Sequence, residues 1–282
     1  SANLRFNSDV PSARRLTSTL AAQGGFVADL CEILNDLSAE IFAWMSAQPA
    51  VKEESITDWL LYELSKRSTQ VAYKAFTRHE EAKYTGADWD WVFVFNDGTV
   101  WLRVQAKKLF DGEDNYPGLA RSNRYGQQIS TLITSAATVP AYPIYAFYSG
   151  SSAISACRGG VQASAGAYLC GAKVVDANFV STRTRVDPAN VIGRSYPLPC
   201  IACCPKATGG SAKDLIGQIY YYFEIDSPLN SRVDEYQGYS KDIPAAIRAV
   251  VDNEFKFPDW WEREFARQFA DVGAVVIVDV RG

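Results

Sequence analysis

The sequence predicts an α/β protein with a central mixed sheet that is flanked by helices. Segments with the three- and four-residue spacing of amphipathic helices alternate with short apolar runs that are typical of buried strands. Between residues 50 and 150 these segments follow one another as helix, strand, strand, strand, helix and strand. This α-β-β-β-α-β order favours strands that pair into one sheet and helices that cover its faces.

Two helices are predicted before the first strand. Apolar residues recur at helical spacing over residues 26–48, and Pro49 ends this segment. The second helix is EESITDWLLYELSKR, because its acidic residues lie at the start and Lys66 and Arg67 lie at the end, as the helix dipole favours. The first of the two helices therefore has a clear stop signal, and the second has a signal at each end.

Strands and one further helix fill the rest of the first half. Three strands are expected at residues 70–77, 88–95 and 99–109. An Asn-Asp-Gly turn at 96–98 joins the second strand to the third, which is a hairpin signal. A helix over residues 122–137 then leads to a buried strand at 142–148.

The C-terminal half carries weaker patterns. Strands are predicted at 168–180 and 198–204, and helices at 214–223, 243–254 and 259–269. The chain closes on the β-branched run GAVVIVDV, which we expect to pair into the sheet. We expect one compact domain with a core at about residues 50–150, an N-terminal helical segment at 1–49 and a C-terminal α/β elaboration at 151–282.

The composition describes a globular protein without an excess of positive charge. Of the 282 residues, 48% are hydrophobic, and 28 Lys and Arg against 32 Asp and Glu give a net charge of −4. This balance excludes a histone-like polybasic binder, although a local basic groove remains compatible with it.

Membrane and secretory classes are not favoured by the sequence. No stretch approaches the ~20 apolar residues that cross a bilayer, and the opening SANLRFNSDVPSARR lacks the apolar run of a secretory signal. Six cysteines are too few for a disulfide scaffold in a chain of this length. We therefore expect a cytoplasmic protein with reduced cysteines.

Polar side chains interrupt the second and third predicted strands. Asp88 and Asp90 share one face of the second strand, and Arg103, Gln105 and Lys107 share one face of the third. Pairing through the hairpin brings these faces together. Burying such groups without partners costs ~1–3 kcal/mol for each neutral group and more for an ammonium. A break of this kind in an apolar pattern indicates a functional site.

The motifs on these strands resemble those of a known nuclease superfamily. Gly86-x-Asp88, followed by a hairpin and by Val104-Gln-Ala-Lys107, is similar to the core of the PD-(D/E)XK nucleases, and most similar to the Mrr-like restriction endonucleases. The element order matches the restriction-endonuclease-like core of that superfamily. The resemblance covers about residues 50–150. It implies a metal-dependent endonuclease that hydrolyses phosphodiester bonds, with DNA as the expected substrate, RNA not excluded, and a role in bacterial anti-phage defence by analogy.

The resemblance also implies the ligands of a divalent cation, Mg²⁺ or Mn²⁺. The carboxylate of Asp88 would bind the cation together with the side-chain oxygen of Gln105 and the backbone carbonyl of Ala106, with Asp90 as a further candidate. Mg²⁺ prefers hard oxygen ligands and keeps several waters, so a few protein ligands suffice.

Two further catalytic roles follow from the same resemblance. Lys107 would position or polarise the attacking water and stabilise charge on the scissile phosphate. The superfamily often contributes an acid from the first core helix, which here is Glu53 or Glu54. On a helical projection Glu53 lies closer to the centre of the buried face and Glu54 lies on its rim, and both remain candidates. Each of these residues also has a plain structural interpretation, such as an edge-strand lysine or a helix-dipole acid.

Basic and polar residues around the motifs are candidates for a rim that binds nucleic-acid phosphates. They are Lys66, Arg67, Lys74, Arg78, Lys108, Arg121, Arg124, Tyr125, Gln127 and Gln128. The last five open the predicted helix after the motifs, which lies beside the site in PD-(D/E)XK enzymes. Double-strand cutting in that superfamily usually needs two active sites, so a homodimer is expected.

Two alternative interpretations remain open. Gln105 stands where an acid is more common, which leaves room for a weak or inactive nuclease-fold module that binds nucleic acid or a protein partner. The second alternative is a zinc-stabilised interaction domain, based on the Cys-x-x-Cys spacing at Cys200 and Cys203 with Cys157 and Cys170 upstream. A structural zinc site typically has two paired spacings, so free cysteines buried in a strand are the expectation.

The only histidine and a pair of adjacent tryptophans also carry expectations. His79 is the only histidine, and it is expected at the surface near the end of the first strand. Trp260 and Trp261 are adjacent and cannot share one face of a helix, so one of them is free to contact another element or a base. Core packing is the expectation for this pair.

Overall fold

The structure is a computed structural model that describes residues 25–76, 86–109, 122–123, 126–150, 172–182, 194–204, 210–223, 235–269 and 272–281. The helices in these ranges are α1 (Gly25–Ala47), α2 (Glu53–Arg67), α3 (Gln128–Ala137), α4 (Ala177–Ser181), α5 (Cys200–Cys203), α6 (Ala212–Tyr222), α7 (Ala245–Val251) and α8 (Trp261–Phe269). The strands are β1 (Val71–Ala75), β2 (Trp89–Phe95), β3 (Gly98–Lys108), β4 (Ser122–Asn123), β5 (Gly126–Gln127), β6 (Tyr142–Tyr148), β7 (Ala172–Asp176), β8 (Tyr196–Pro197), β9 (Tyr239–Ser240) and β10 (Ala274–Asp279).

A mixed sheet organises the described part of the chain and confirms the α/β fold class. Its order is β1-β10-β2-β3-β6-β7-β8, and β9 pairs with the start of β3, which gives eight strands in the described ranges. The β10–β2 and β3–β6 pairs are parallel, and the other neighbours are antiparallel. The short β4 and β5 form a separate two-stranded pair.

The closing strand β10 lies inside the sheet. It separates β1 from β2, so the three strands that follow one another in sequence are not all neighbours in space. The residues from Ala274 to Val278 are all buried, which is typical of an interior strand covered on both faces. The apolar run at the C-terminus therefore pairs into the sheet as expected, at a position that the sequence alone does not indicate.

Helices cover both faces of the sheet and create two apolar layers. One layer joins α1, α2, α5 and α6 to one face, and Trp89, Trp91 and Val104 lie in it. The other joins α3, α7 and α8 to the opposite face, where Val92, Trp101 and Tyr145 lie. Among the helices described, none combines the length and apolar character that membrane crossing requires.

Local structure differs from the sequence prediction in three places. The helix predicted over residues 122–137 begins at Gln128, and residues 122–123 and 126–127 form the short strands β4 and β5. The strand predicted at 198–204 is replaced by the short helix α5, because a short apolar run has no periodicity that separates a strand from a buried helix. The strand predicted over 168–180 ends at Asp176. The Asp176 carboxylate accepts hydrogen bonds from the backbone N–H groups of Asn178 and Phe179, and so caps α4.

The cysteines also depart from expectation. Cys31 on α1 and Cys203 on α5 form a disulfide across 172 residues of sequence. Cys200 and Cys204 are buried, but they lie in or beside a helix instead of a strand. The Cys-x-x-Cys zinc hypothesis loses one ligand to the disulfide, while Cys157, Cys170 and His79 lie outside the described residues.

The two adjacent tryptophans separate as predicted. Trp261 is buried, stacks on Phe265 and donates its indole N–H to the carbonyl of Ala246. Trp260 is 46% exposed. Core packing therefore accounts for one member of the pair only.

Candidate active site

Strand register builds a polar row across β2, β3 and β6. Trp89 pairs with Val104 in the antiparallel β2–β3 hairpin, and the Asp88 N–H donates to the Val104 carbonyl at 2.8 Å, so Asp88 lies beside Gln105. In the parallel β3–β6 pair, Tyr145 lies opposite Gln105 on its other side. Asp88, Gln105 and Tyr145 therefore occupy three adjacent positions at one level of the sheet.

The three groups that the resemblance implies as cation ligands converge at this row. The side-chain amide of Gln105 donates through Nε2 to Asp88 Oδ2 at 2.5 Å and to the Ala106 carbonyl at 3.1 Å. The Ala106 N–H donates to the same Asp88 oxygen at 2.5 Å. Gln105 is buried, whereas Asp88 is partly exposed and gives the row its access to solvent.

Gln128 closes the network from the first turn of α3. Its Nε2 donates to Gln105 Oε1 at 2.6 Å. Gln128 is a residue expected to contact phosphate, and in the structure its amide is hydrogen-bonded to Gln105. Gln127 precedes it and is exposed. A chain of hydrogen bonds thus runs from Gln128 through Gln105 to Asp88.

The glycine of the Gly-x-Asp motif allows α3 to approach this network. Gly86 has φ +63°, and a Cβ built on it would lie 2.6 Å from the Gln128 carbonyl and 3.0 Å from the Leu132 N–H. An L side chain rarely adopts this conformation, and here it would also push against helix backbone. Gly86 therefore sets how closely the first turn of α3 lies to Asp88.

We expect Gly86→Ala to lower the free energy of unfolding by about 1–3 kcal/mol, through backbone strain and displacement of α3. Gly217→Ala is the matched control, because a Cβ at this position of α6 meets nothing within 4 Å. That control should gain about 0.5–1 kcal/mol, because alanine favours helices. Urea unfolding of both variants measures the difference, and equal stability for the two would contradict the close approach.

Glu53 lies at the start of α2 and contacts the end of β3, beyond the row. Its Oε2 accepts a hydrogen bond from the Lys108 backbone N–H at 2.6 Å, and its Oε1 lies 3.4 Å from Lys107 Nζ. Burial raises the pKa of Glu53, the positive charge of Lys107 opposes this rise, and the carboxylate of Asp88 adds to it. Glu54 is exposed. Of the two candidate acids, Glu53 is thus the one that contacts β3.

The raised pKa of Glu53 predicts how stability depends on pH. The folded protein holds this proton more tightly than the unfolded chain, so the free energy of unfolding should fall as the pH rises from about 4.5 through the raised pKa. Glu53→Gln should remove this part of the fall, and the exposed Glu54→Gln should not. Melting temperatures between pH 4 and 8 in EDTA measure it, and parallel curves for Glu53→Gln and wild type would contradict it.

Asp90 does not join the ligand set. Both of its oxygens accept hydrogen bonds from Arg103, Oδ1 from Nε at 2.8 Å and Oδ2 from Nη2 at 2.7 Å. Both side chains are fully buried, and Arg103 also donates to the Ser135 carbonyl. Asp90 and Arg103 neutralise each other's buried charges in the layer under α3. The Asp90 carboxylate is therefore not available to a cation.

Half of the ten residues proposed for the phosphate-binding rim have other contacts, Gln128 among them. Lys108 is buried, and its ammonium donates to the Pro49 carbonyl, so it connects the end of β3 to the turn between α1 and α2. Arg67 is hydrogen-bonded to Glu40 and Glu63. Lys66 and Lys74 pair with Glu63 and Glu262 at the surface. Arg78, Arg121, Arg124 and Tyr125 lie outside the described residues.

Tyr145 is a site residue that the sequence analysis did not identify. Its side chain is fully buried, and its hydroxyl has no hydrogen-bond partner among the residues that the structure describes. Burial raises the pKa of its phenol, with smaller contributions from Asp88 and Glu53. Its sequence context, an apolar strand, predicts only a core residue. The signal lies in the β3–β6 register, which pairs Tyr145 with Gln105.

The chemistry of this row suits a hard divalent cation. Asp88 Oδ2 and the Ala106 carbonyl both lie within hydrogen-bond distance of one amide group of Gln105. Turning that amide by half a turn replaces its nitrogen with its oxygen and creates a set of three oxygen ligands. Within the described ranges, no three His, Cys, Asp or Glu side chains form a metal cluster. A cation here therefore relies on neutral oxygens as well as carboxylates.

A model of a protein family of unknown function, DUF6615, matches residues 30–278. Comparisons with curated proteins and with solved structures gave no match. The matched range includes the candidate site residues from Glu53 to Gln128. Because it covers most of the 282 residues, the chain belongs to this family of unknown function.

Proposed function

We propose that the protein is a metal-dependent endonuclease of the PD-(D/E)XK type, which hydrolyses phosphodiester bonds in DNA. The observation that carries this proposal is the convergence of Asp88, Gln105 and the Ala106 carbonyl at one end of β3, next to the Glu53–Lys107 pair. These residues resemble, in type and in order along the chain, those that the superfamily uses for cation binding and water activation, with Gln105 where an acid is more common.

The topology around the site supports the same proposal. Apart from the separate β4–β5 pair before α3, the elements α2, β1, β2, β3, α3 and β6 follow in the α-β-β-β-α-β order, and α3 lies between two parallel neighbours, β3 and β6. β10 lies between β1 and β2 as an additional strand. We propose that the nuclease-like core tolerates this strand because Asp88 precedes β2 and the other catalytic residues lie on β3 and α2, away from β1.

Each side chain has a distinct role in the proposed reaction. Asp88, the Gln105 oxygen and the Ala106 carbonyl would hold a divalent cation, with Glu53 at the edge of the site. When bound, it would lower the pKa of a coordinated water and offset charge on the phosphate. Lys107 is 8% exposed, so its ammonium acts in a poorly solvated place where charge is strongly felt. It orients the attacking water and stabilises the oxygen that becomes negative.

A non-catalytic nuclease fold is the second candidate, and one observation favours it. Gln105 presents its nitrogen, not its oxygen, to Asp88. This arrangement satisfies the carboxylate by hydrogen bonds without a cation. A protein of this kind would bind nucleic acid or a protein partner without cutting.

Cleavage assays separate the two candidates. Purified protein is incubated with supercoiled plasmid, single-stranded DNA and RNA, each in Mg²⁺, in Mn²⁺ and in EDTA. The proposal predicts cleavage of DNA that requires the cation and is lost in Asp88→Asn. Binding that is insensitive to the cation, without cleavage of any substrate, would support the non-catalytic fold. Light scattering on the same samples tests the proposed homodimer.

A further inference from the structure

Two glutamine amides form a directional pair in the candidate site. Gln128 Nε2 donates to Gln105 Oε1 at 2.6 Å, and Gln105 Nε2 in turn donates to Asp88 Oδ2 at 2.5 Å. The oxygen of Gln105 therefore faces α3, and its nitrogen faces the carboxylate. A carboxylate accepts hydrogen bonds and cannot donate them, so it favours this orientation when no cation is present.

Cation binding requires the opposite orientation. A divalent cation is bound by an amide through its oxygen, because the amide NH₂ has no free electron pair to offer. If only Gln105 turned, two NH₂ groups would face each other at the Gln128 contact. If both amides turn, Gln105 Nε2 donates to Gln128 Oε1, and the hydrogen bond is kept with its direction reversed. Gln105 is 1% exposed, so bulk water does not replace a lost partner.

We propose that Gln128 is a positioning residue that controls which atom of the Gln105 amide faces Asp88, and that both amides turn together when a divalent cation binds. This inference rests on the proposed function, because it concerns the same cation site. Gln128 contacts Gln105 and acts on the cation only through it. Groups that orient the ligands of a metal commonly change metal affinity by 10- to 100-fold when they are altered.

Two substitutions at position 128, each of which keeps only one of the two hydrogen-bonding roles of the amide, should change Mn²⁺ affinity in opposite directions. Gln128→Glu can only accept, so it favours the Gln105 orientation with the oxygen toward Asp88 and should tighten Mn²⁺ binding about tenfold. Gln128→Lys can only donate, so it favours the reverse orientation and should weaken binding by about the same factor. Gln128 is partly buried and lies at the start of α3.

Charge alone also changes cation affinity, so the test includes two controls. Gln127→Glu and Gln127→Lys place the same charges one residue away, on an exposed side chain. The second control repeats the position-128 variants in a Gln105→Glu background, where both oxygens of the side chain are equivalent and no orientation remains to be set. Mn²⁺ binding to each full-length protein is measured by electron paramagnetic resonance of the free ion.

The outcomes separate the inference from the proposed function. Opposite shifts at position 128, much smaller shifts at position 127 and clearly smaller position-128 shifts in the Gln105→Glu background, where only the charge acts, would support the inference. Equal shifts in both backgrounds, or none, would overturn it even if Asp88→Asn abolishes binding. Absence of any Asp88-dependent Mn²⁺ binding in the wild-type protein would overturn the cation site, and with it both the inference and the proposed function. If one position-128 variant fails to fold, the other still gives a signed prediction.

Discussion

Lys107→Met is expected to reduce metal-dependent DNA cleavage by about 100- to 1,000-fold, the usual cost of removing one group that stabilises developing charge. Methionine keeps most of the apolar stem of this buried side chain and removes only its charge. The effect is large because Lys107 is held in place by Glu53 at 3.4 Å, and water cannot supply an equally fixed positive charge.

Two comparisons make this result specific. Lys66→Met is the matched control, because Lys66 is a lysine whose side chain is 61% exposed at the end of α2, and its loss should leave the cleavage rate within about twofold. Mn²⁺ binding should persist in Lys107→Met, since the variant removes a positive charge and no ligand. Single-turnover cleavage of a labelled duplex measures the rate. An unchanged rate would assign Lys107 a purely structural role.

The second large effect concerns stability. Asp90→Asn removes the carboxylate charge that accepts two hydrogen bonds from the buried Arg103, in a place with no solvent contact, which should cost about 3–5 kcal/mol of unfolding free energy. The double variant Asp90→Leu with Arg103→Met removes both charges and should recover most of this loss, because apolar groups of similar volume can replace a buried ion pair.

An exposed ion pair provides the contrast. Glu262 pairs with Lys74 at 3.6 Å, and both side chains are well exposed, so Glu262→Gln should change stability by only about 0–1 kcal/mol. Chemical unfolding of the four proteins measures the effects. A loss below about 1 kcal/mol in Asp90→Asn would show that water reaches the pair, since only a desolvated pair carries the full cost.

Local signals in the sequence predicted individual elements well. The structure places α2 over the whole segment EESITDWLLYELSKR and β6 at the predicted residues 142–148. The hairpin between β2 and β3 forms as its Asn-Asp-Gly turn indicates. These features depend on neighbours in sequence, such as acidic and basic helix ends or a two-residue turn, so one sequence suffices to predict them.

Local sequence patterns could not predict the features that depend on residues far apart in the sequence. The insertion of β10 between β1 and β2 joins segments about 200 residues apart. The Cys31–Cys203 disulfide spans 172 residues. The patterning of β2 and β3 placed five polar residues on one face, but it could not show that Asp90 and Arg103 neutralise each other while Asp88 and Gln105 remain at the partly exposed end.

The contacts of Gln128 show the same limit within the site. Its position at the start of a helix predicted proximity to the motifs, and phosphate contact was the interpretation that the residue type favoured. The direction of its hydrogen bond depends on how closely α3 approaches β3, which Gly86 permits through a positive φ. Packing between elements therefore decides between two roles that the sequence leaves equivalent.

Anomalous X-ray scattering from crystals grown with Mn²⁺ tests the cation site most directly. We predict one Mn²⁺ peak bounded by Asp88, the Ala106 carbonyl and the Gln105 side chain, with Gln105 turned so that its amide nitrogen faces Gln128. The peak should be absent from crystals of Asp88→Asn grown in the same way. A Mn²⁺-saturated protein with no peak at this place, and with Gln105 still donating to Asp88, would contradict the metal-dependent function.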